Sequence, residues 1–122
     1  MGAIGDEVAG WPGVKAAPHR FGGIEFRVAG HEIGHLHGER LADLPFPVRM
    51  RRELVDAGRA LPHHVLPDSG WVSYRIHGPE DFDAAIALFR LNYERITAAA
   101  ALGDAPETDE AAETPVLEHE PA

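Results

Sequence analysis

The chain has 122 residues, of which 44% are hydrophobic and 25% are charged, and these proportions are typical of one ordinary globular domain. It contains no cysteine, which excludes disulfides, thiolate metal sites and cysteine nucleophiles. No apolar run approaches the roughly 20 residues that span a membrane, and the first residues do not resemble a secretory signal, so a cytoplasmic location is expected.

The net charge of -9 is unevenly distributed. Seven of the 20 acidic residues, and no lysine or arginine, follow Gly103 in a segment rich in Ala, Pro and Glu. This composition predicts a single domain over residues 1–100, followed by a disordered acidic tail over residues 101–122. The body has a net negative charge and one lysine, and its arginine-rich segment, residues 49–59, contains no aromatic residue for base stacking, so nucleic acid is not expected as a partner.

The first third of the chain predicts a helix followed by a strand. "AIGDEVAGW" places Ile4, Val8 and Trp11 on one side of a helix, which Pro12 and Gly13 then end. In "GIEFRVAG", apolar residues alternate with Glu and Arg, which is the period of a half-buried strand.

The next stretch, "HEIGHLHG", contains the H-E-x-x-H pattern of zinc proteases, which requires a helix. Glycines at positions 30, 34 and 38 argue against that helix, because each costs about 1 kcal/mol relative to alanine. On a strand, with about 3.3 Å of rise per residue, His31 and His35 are about 13 Å apart and share no metal. We therefore predict a strand over residues 32–37 that forms a hairpin with the preceding one, with a turn at Gly30–His31.

Three further elements follow. "PFPVRMRRELVDAGRA" predicts a helix opened by Pro47, "GWVSYRIHG" predicts a strand, and "PEDFDAAIALFRLNYERI" predicts a helix that starts at Pro79. The last helix carries an apolar stripe made of Phe82, Ile86, Phe89, Tyr93 and Ile96. The order of elements predicts an α+β fold, in which a small antiparallel sheet of about four to five strands is covered on one face by two to three helices.

Polar residues with catalytic chemistry concentrate in the middle of the chain. His35 and His37 would lie on one face of their strand, about 6.6 Å apart at the backbone, with Glu32, Gly34 and Leu36 on the other. Such a pair binds a metal when a third ligand is present, or supplies an acid and a base to a pocket. A solvated sheet face is the alternative. Asp43 follows shortly after the pair, and the loop "LPHHVLPDSGW" adds His63, His64, Asp68 and Ser69.

Four segments resemble the luciferase-domain family, small bacterial proteins similar to the fungal luciferase. The segments "GHLHG", "DLPFP", "HHVLPDSGW" and the final "LFRLNYER" occur in the order of that family, and the resemblance extends over about residues 10–97. It implies an enzyme that oxidises a hydroxylated pyrone with molecular oxygen and no known cofactor. A shared fold does not carry a shared reaction, so luminescence is not implied.

These observations predict a candidate site for a small-molecule ligand. Its expected catalytic residues are His35, His37, Asp43 and His64, and its expected substrate-binding residues are Phe21, Phe46, Ser69 and Trp71. An imidazole would take a proton from an acidic enol, and the resulting anion would react with oxygen. We expect no cofactor. The alternative is a divalent transition metal bound by His35, His37 and His64.

A non-catalytic binding module is an alternative of another class. Arg49, Arg51, Arg52 and Arg59 form the densest basic cluster of the chain and would meet a phosphate or an acidic partner. A solvated helix face balanced by Glu53 and Asp56 explains the same residues. The sequence does not define the substrate or the oligomeric state.

Overall fold

A six-stranded antiparallel sheet forms the body of the protein. The computed structural model describes residues 2–19 and 22–108. The elements in chain order are α1 (Ala3–Ala9), β1 (Lys15–Pro18), β2 (Ile24–Val28), β3 (His31–His37), β4 (Leu41–Pro45), α2 (Val48–Asp56), β5 (Leu61–Pro62), β6 (Trp71–Arg75) and α3 (Phe82–Ala101), with a 3₁₀ turn at Pro79–Asp81. The strands lie in the order β1-β2-β3-β4-β6-β5. The α+β prediction is confirmed, with one strand more than the upper estimate.

The segment His31–His37 is a strand, as predicted, and not the helix of a zinc protease. It forms a hairpin with β2 in which Val28 lies opposite His31. The two turn residues are Ala29 and Gly30, with φ of 52° and 82°. Positive φ at both positions is typical of a two-residue hairpin turn whose twist matches the strands. The turn is therefore one residue earlier than predicted.

A β-bulge interrupts the pairing of β2 and β3. Phe26 lies opposite Gly34, but Arg27 lies opposite Glu32, so Ile33 is an extra residue in β3. An extra residue inverts the alternation of side chains beyond it. Glu32 therefore lies on the same face as His35, where strict alternation had predicted the opposite face.

The helices and one face of the sheet enclose an apolar core. The core includes Phe26, Leu36 and Leu44 from the sheet, Leu54 from α2 and Phe89 from α3. Phe26 and Phe89 meet edge to face, with ring centroids 5.7 Å apart. The predicted stripe of α3 is buried at Phe89, Tyr93 and Ile96, whereas Phe82 and Ile86 are half-buried.

Gly34 allows α3 to lie directly on β3. A Cβ at this position would be 2.8 Å from the carbonyl oxygen of Asp43 and 2.9 Å from side-chain atoms of Leu44 and Phe89. We expect Gly34→Ala to lower the free energy of unfolding by about 1–3 kcal/mol, because overpacking a tight core forces shifts. Chemical denaturation measures this, with Gly10→Ala as the control, since its Cβ would meet no atom closer than 3.5 Å. Equal stability of the two variants would contradict this packing.

The described part of the tail contacts the body of the protein. Residues 104–108 have no regular structure. Arg95 donates a hydrogen bond to the carbonyl oxygen of Glu107, and Arg49 is 3.3 Å from the Glu107 carboxylate. The predicted disorder of the rest of the tail concerns residues 109–122, which lie outside the described residues. None of the described helices combines the length and apolarity that crossing a membrane requires.

Candidate functional site

The face of the sheet opposite the apolar core carries a row of polar side chains. His35 of β3 lies opposite Asp43 of β4, and Asp43 lies opposite Ser73 of β6. Residues that face each other across antiparallel strands share a face of the sheet. His37 lies on the same face because it is two residues from His35. The register thus brings together groups from three strands.

Asp43 is the centre of this cluster and is only 1% exposed. Its Oδ2 lies 3.4 Å from Nε2 of His35 and 3.3 Å from Nε2 of His37. Its Oδ1 accepts a hydrogen bond from the Ser73 hydroxyl at 2.6 Å and lies 3.8 Å from Nε2 of His63. One carboxylate therefore has three imidazoles and one hydroxyl around it.

Asp43 remains ionised in spite of its burial. Burial alone would raise its pKa, but contacts with His35, His37 and Ser73 lower the pKa by more, so the net value is far below the ordinary one. The cluster therefore holds a fixed negative charge at neutral pH. A buried charge of this kind needs close partners of opposite charge or good hydrogen-bond donors.

The β-bulge supplies a second carboxylate to the cluster. Oε2 of Glu32 lies 2.7 Å from Nδ1 of His35, at the length of a strong hydrogen bond. His19, just after β1, stacks on the ring face of His35, with ring centroids 4.0 Å apart. Glu32 thus holds one ring nitrogen of His35 and His19 covers one ring face, while Nε2 faces Asp43 at 3.4 Å.

The loop before β6 covers the cluster. Nδ1 of His63 accepts hydrogen bonds from the backbone N–H groups of Val65 and Leu66, both at 3.1 Å. An accepting Nδ1 fixes the proton of a neutral imidazole on Nε2, which here faces Asp43. The buried Trp71 packs beside the cluster, with its ring centroid 5.5 Å from that of His35.

His37 connects the cluster with the surface. Its side chain is 34% exposed, whereas that of His35 is 1% exposed. A small molecule would therefore approach the cluster from the side of His37. In the loop before β6, the exposed His64 stacks on the buried His63, with ring centroids 4.4 Å apart.

Among the residues predicted for the site, the structure brings His35, His37 and Asp43 together and places Trp71 beside them. A ligand atom of His64 lies within 4.8 Å of one on Asp43. Ser69 holds the loop, because its hydroxyl donates to the carbonyl oxygen of Leu66 and accepts from the N–H of Trp71.

Of the two predicted phenylalanines, Phe46 does not join the cluster. Phe46 is fully buried in the apolar core. Phe21 lies outside the described residues.

Four residues of the cluster were not predicted as site residues: His19, Glu32, His63 and Ser73. Ser73 could have been found, because strand alternation places it on the face of Trp71. His63 belongs to the loop already noted, but its neighbour His64 was preferred. Nothing in the local pattern around His19 or Glu32 indicates the cluster.

Three groups of side chains have metal-ligand spacing within the described residues. They are His19–Glu32–His35, His35–His37–Asp43 and Asp43–His63–His64, and in each the ligand atoms lie within 4.8 Å of one another. All three share a member with another group, so they are parts of one cluster. The arrangement can hold an ion or move a proton between imidazole and carboxylate.

A family model, Luciferase domain, matches residues 30–92 of the chain. No curated protein and no solved structure matches the chain. The matched segment runs from the start of β3 into α3 and is slightly more than half of the chain. It contains His35, His37 and Asp43 at the centre of the cluster. The chain therefore belongs to the Luciferase domain family.

Proposed function

We propose that this protein is an oxidoreductase, a luciferase-like oxygenase, that acts with dioxygen on a small acidic enol at the histidine cluster. One observation carries the proposal: two imidazoles converge on a buried, ionised carboxylate, and one of them, His37, is partly exposed. Membership of the Luciferase domain family and the expectation of oxygen chemistry drawn from the resemblance to the fungal enzyme support it.

The reaction begins with proton transfer. The enol hydroxyl loses its proton to a base at the cluster, which leaves an electron-rich enolate. Dioxygen accepts electrons from the enolate carbon, a carbon–oxygen bond forms, and the resulting peroxide anion takes the proton back. Carbon is oxidised and dioxygen is reduced, and the product of this step is a hydroperoxide that contains every atom of the enol and the dioxygen.

Two forms of the site would support this reaction. In the cofactor-free form, Asp43 holds Nε2–H of His37 and leaves Nδ1 of the same ring as the base, a role that is worth about 10²–10⁴-fold in rate. In the metal form, an ion bound at the cluster stabilises the enolate charge. The proposal of oxygen chemistry holds for either form.

Oxygen consumption tests the proposal. Triacetic acid lactone, a hydroxylated pyrone, and dimedone, a carbocyclic acidic enol, serve as probes in an oxygen electrode. Each protein is assayed as purified, after chelation, and after addition of ferrous, manganous or zinc ions. We expect uptake by the wild type and a loss of about 100-fold in His37→Ala, which removes the exposed imidazole.

His77→Ala is the matched control for His37→Ala. His77 is also a histidine beside an aspartate, 3.3 Å from Asp81, but its side chain is 77% exposed and the pair lies outside the cluster. Wild-type uptake by this variant supports the assignment. The proposal fails if no probe is oxidised under any metal condition, or if His37→Ala is as active as the wild type.

The alternative of a binding module on the basic cluster has no comparable support. Arg49 of that cluster is already 3.3 Å from the carboxylate of Glu107 in the same chain. An exposed pair of this kind contributes little to stability, but it shows that the surface has an acidic neighbour within the protein.

A further inference from the structure

We propose that His35, His37 and Asp43 bind one divalent first-row transition-metal ion through Nε2 of each histidine and Oδ2 of the aspartate. Metal binding itself does not depend on the proposed reaction. The choice of ferrous iron as the working ion does rest on it, because two histidines and one carboxylate with open positions are the ligand set of non-haem iron oxygenases.

Both distances from Oδ2 of Asp43 to the histidine nitrogens fit an ion better than hydrogen bonds. Oδ2 of Asp43 is 3.4 Å from one histidine nitrogen and 3.3 Å from the other. Hydrogen bonds from imidazolium to carboxylate are about 2.7–2.9 Å long. Ligand atoms around one ion, at metal–ligand bonds of about 2.0–2.2 Å, lie about 3.0–3.5 Å apart, depending on the geometry.

The outer contacts of the same residues have ordinary hydrogen-bond lengths. Glu32 is 2.7 Å from Nδ1 of His35, and the Ser73 hydroxyl is 2.6 Å from Oδ1 of Asp43. The longer distances from Asp43 to the two histidine nitrogens therefore do not reflect loose packing of the whole cluster. Short outer contacts around wider inner ones are the arrangement of a metal site, where neighbouring carboxylates and hydroxyls orient the ligands.

Glu32 also orients His35 as a ligand. Its carboxylate lies 2.7 Å from Nδ1 of His35, so Nε2 is the ring nitrogen that faces Asp43, at 3.4 Å from Oδ2. A carboxylate at the outer nitrogen of the ring is the usual arrangement around a metal-ligating histidine.

The other two groups with ligand spacing fit a metal less well. His63 accepts two backbone hydrogen bonds at Nδ1, so its Nε2 carries the hydrogen and faces Asp43 at 3.8 Å without a lone pair for an ion. In the group with His19, the contact of 2.7 Å between Glu32 and His35 is a hydrogen bond and shorter than ligand spacing. Both groups therefore surround the site and do not form a separate one.

One side of the proposed metal site is open to substrate. Three protein ligands leave at least one position of the ion for water or substrate, as in catalytic metal sites. His37, 34% exposed, places that position near the surface. Trp71 and the stacked His19 close the buried side.

Metal binding is tested without any substrate. Full-length protein without a histidine tag is stripped with a chelator and titrated with Co²⁺, whose visible absorption reports its ligands, and anaerobically with Fe²⁺. We expect one ion per chain, cobalt bands that indicate nitrogen and oxygen ligands, and a rise in melting temperature, since a ligand that binds only the folded state stabilises it.

Three variants locate the ion. His37→Ala, at a partly exposed position that tolerates substitution, and Asp43→Asn should each weaken Co²⁺ binding by at least about 100-fold. His77→Ala, the exposed histidine outside the cluster, should bind as the wild type does. Glu32→Gln keeps an acceptor for His35 and should weaken binding by about 10–100-fold while changing the cobalt spectrum.

The outcomes separate metal binding from the oxygenase reaction. Stoichiometric binding lost in His37→Ala, together with no oxygen uptake, leaves the metal site standing and removes the proposed reaction. Oxygen uptake by fully stripped protein, together with no binding of Co²⁺ or Fe²⁺, leaves the reaction standing and removes the metal site. The metal site is overturned if folded wild type binds no ion, or if His77→Ala weakens binding as much as His37→Ala does.

Discussion

Replacing Asp43 by alanine should lower the free energy of unfolding by about 3–5 kcal/mol, which is the range for breaking a buried ion pair. The carboxylate is 1% exposed and lies among two imidazole nitrogens, a third imidazole and the Ser73 hydroxyl. Its removal leaves the buried Ser73 hydroxyl without its acceptor and the imidazoles without the carboxylate that lies between them. Urea denaturation measures the loss, with a chelator present so that a bound ion does not contribute.

Asp81→Ala is the control for this measurement. Asp81 also accepts from a histidine, His77, but the pair is at the surface. Its removal should change stability little, since exposed pairs contribute little. A loss in Asp43→Ala no greater than in this control would mean that the cluster does not hold the sheet together as described.

Asn92→Ala should lower the free energy of unfolding by about 2–5 kcal/mol, because two buried carbonyl oxygens lose a donor. The Asn92 amide donates to the carbonyl of Ile33 at 2.8 Å and to that of Pro45 at 3.0 Å. Ile33 is the extra residue of the bulge in β3, and Pro45 ends β4. Asn92 thus fastens α3 to both strands that carry the cluster.

Thr97→Ala provides the comparison on the same helix. The Thr97 hydroxyl donates only to the carbonyls of Tyr93 and Glu94, which belong to α3 itself. A small change is expected there, measured by thermal and urea denaturation. If Asn92→Ala is no less stable than Thr97→Ala, the hydrogen bonds across the core do not contribute as described.

The strand at His31–His37 was predictable because both of its signals are local. Glycine spacing argues against a helix, and the alternation of side chains indicates a strand. Neither signal depends on which strand lies next to this one. The bulge at Ile33 was not predictable, because it arises from the register with β2. Glu32 was missed as a site residue for this reason.

Three strands were not predicted: β1, β4 and β5. Each contains proline, and β4 also contains an aspartate, and both residue types are depleted in strands. Asp43 is tolerated in β4 because histidine and serine side chains surround it on the folded sheet. A buried polar residue thus obscured the sequence signal of its own strand.

Part of the candidate site followed from the sequence. His35 and His37 share a face in any strand, and the residues of a following strand come close through short connections. The position of His19 depends on the pairing of β1 with β2, which no local pattern encodes. The sequence predicted no cofactor, with a metal bound by His35, His37 and His64 as the alternative; the metal site that we propose has Asp43 in the place of His64.

The most direct test of the proposed metal site is anomalous diffraction from crystals of the wild-type protein loaded with Co²⁺ or Fe²⁺. We predict one peak per chain, about 2.0–2.2 Å from Nε2 of His35, Nε2 of His37 and Oδ2 of Asp43. A peak between His63 and His64, or no peak at the cluster in fully loaded crystals, would contradict it.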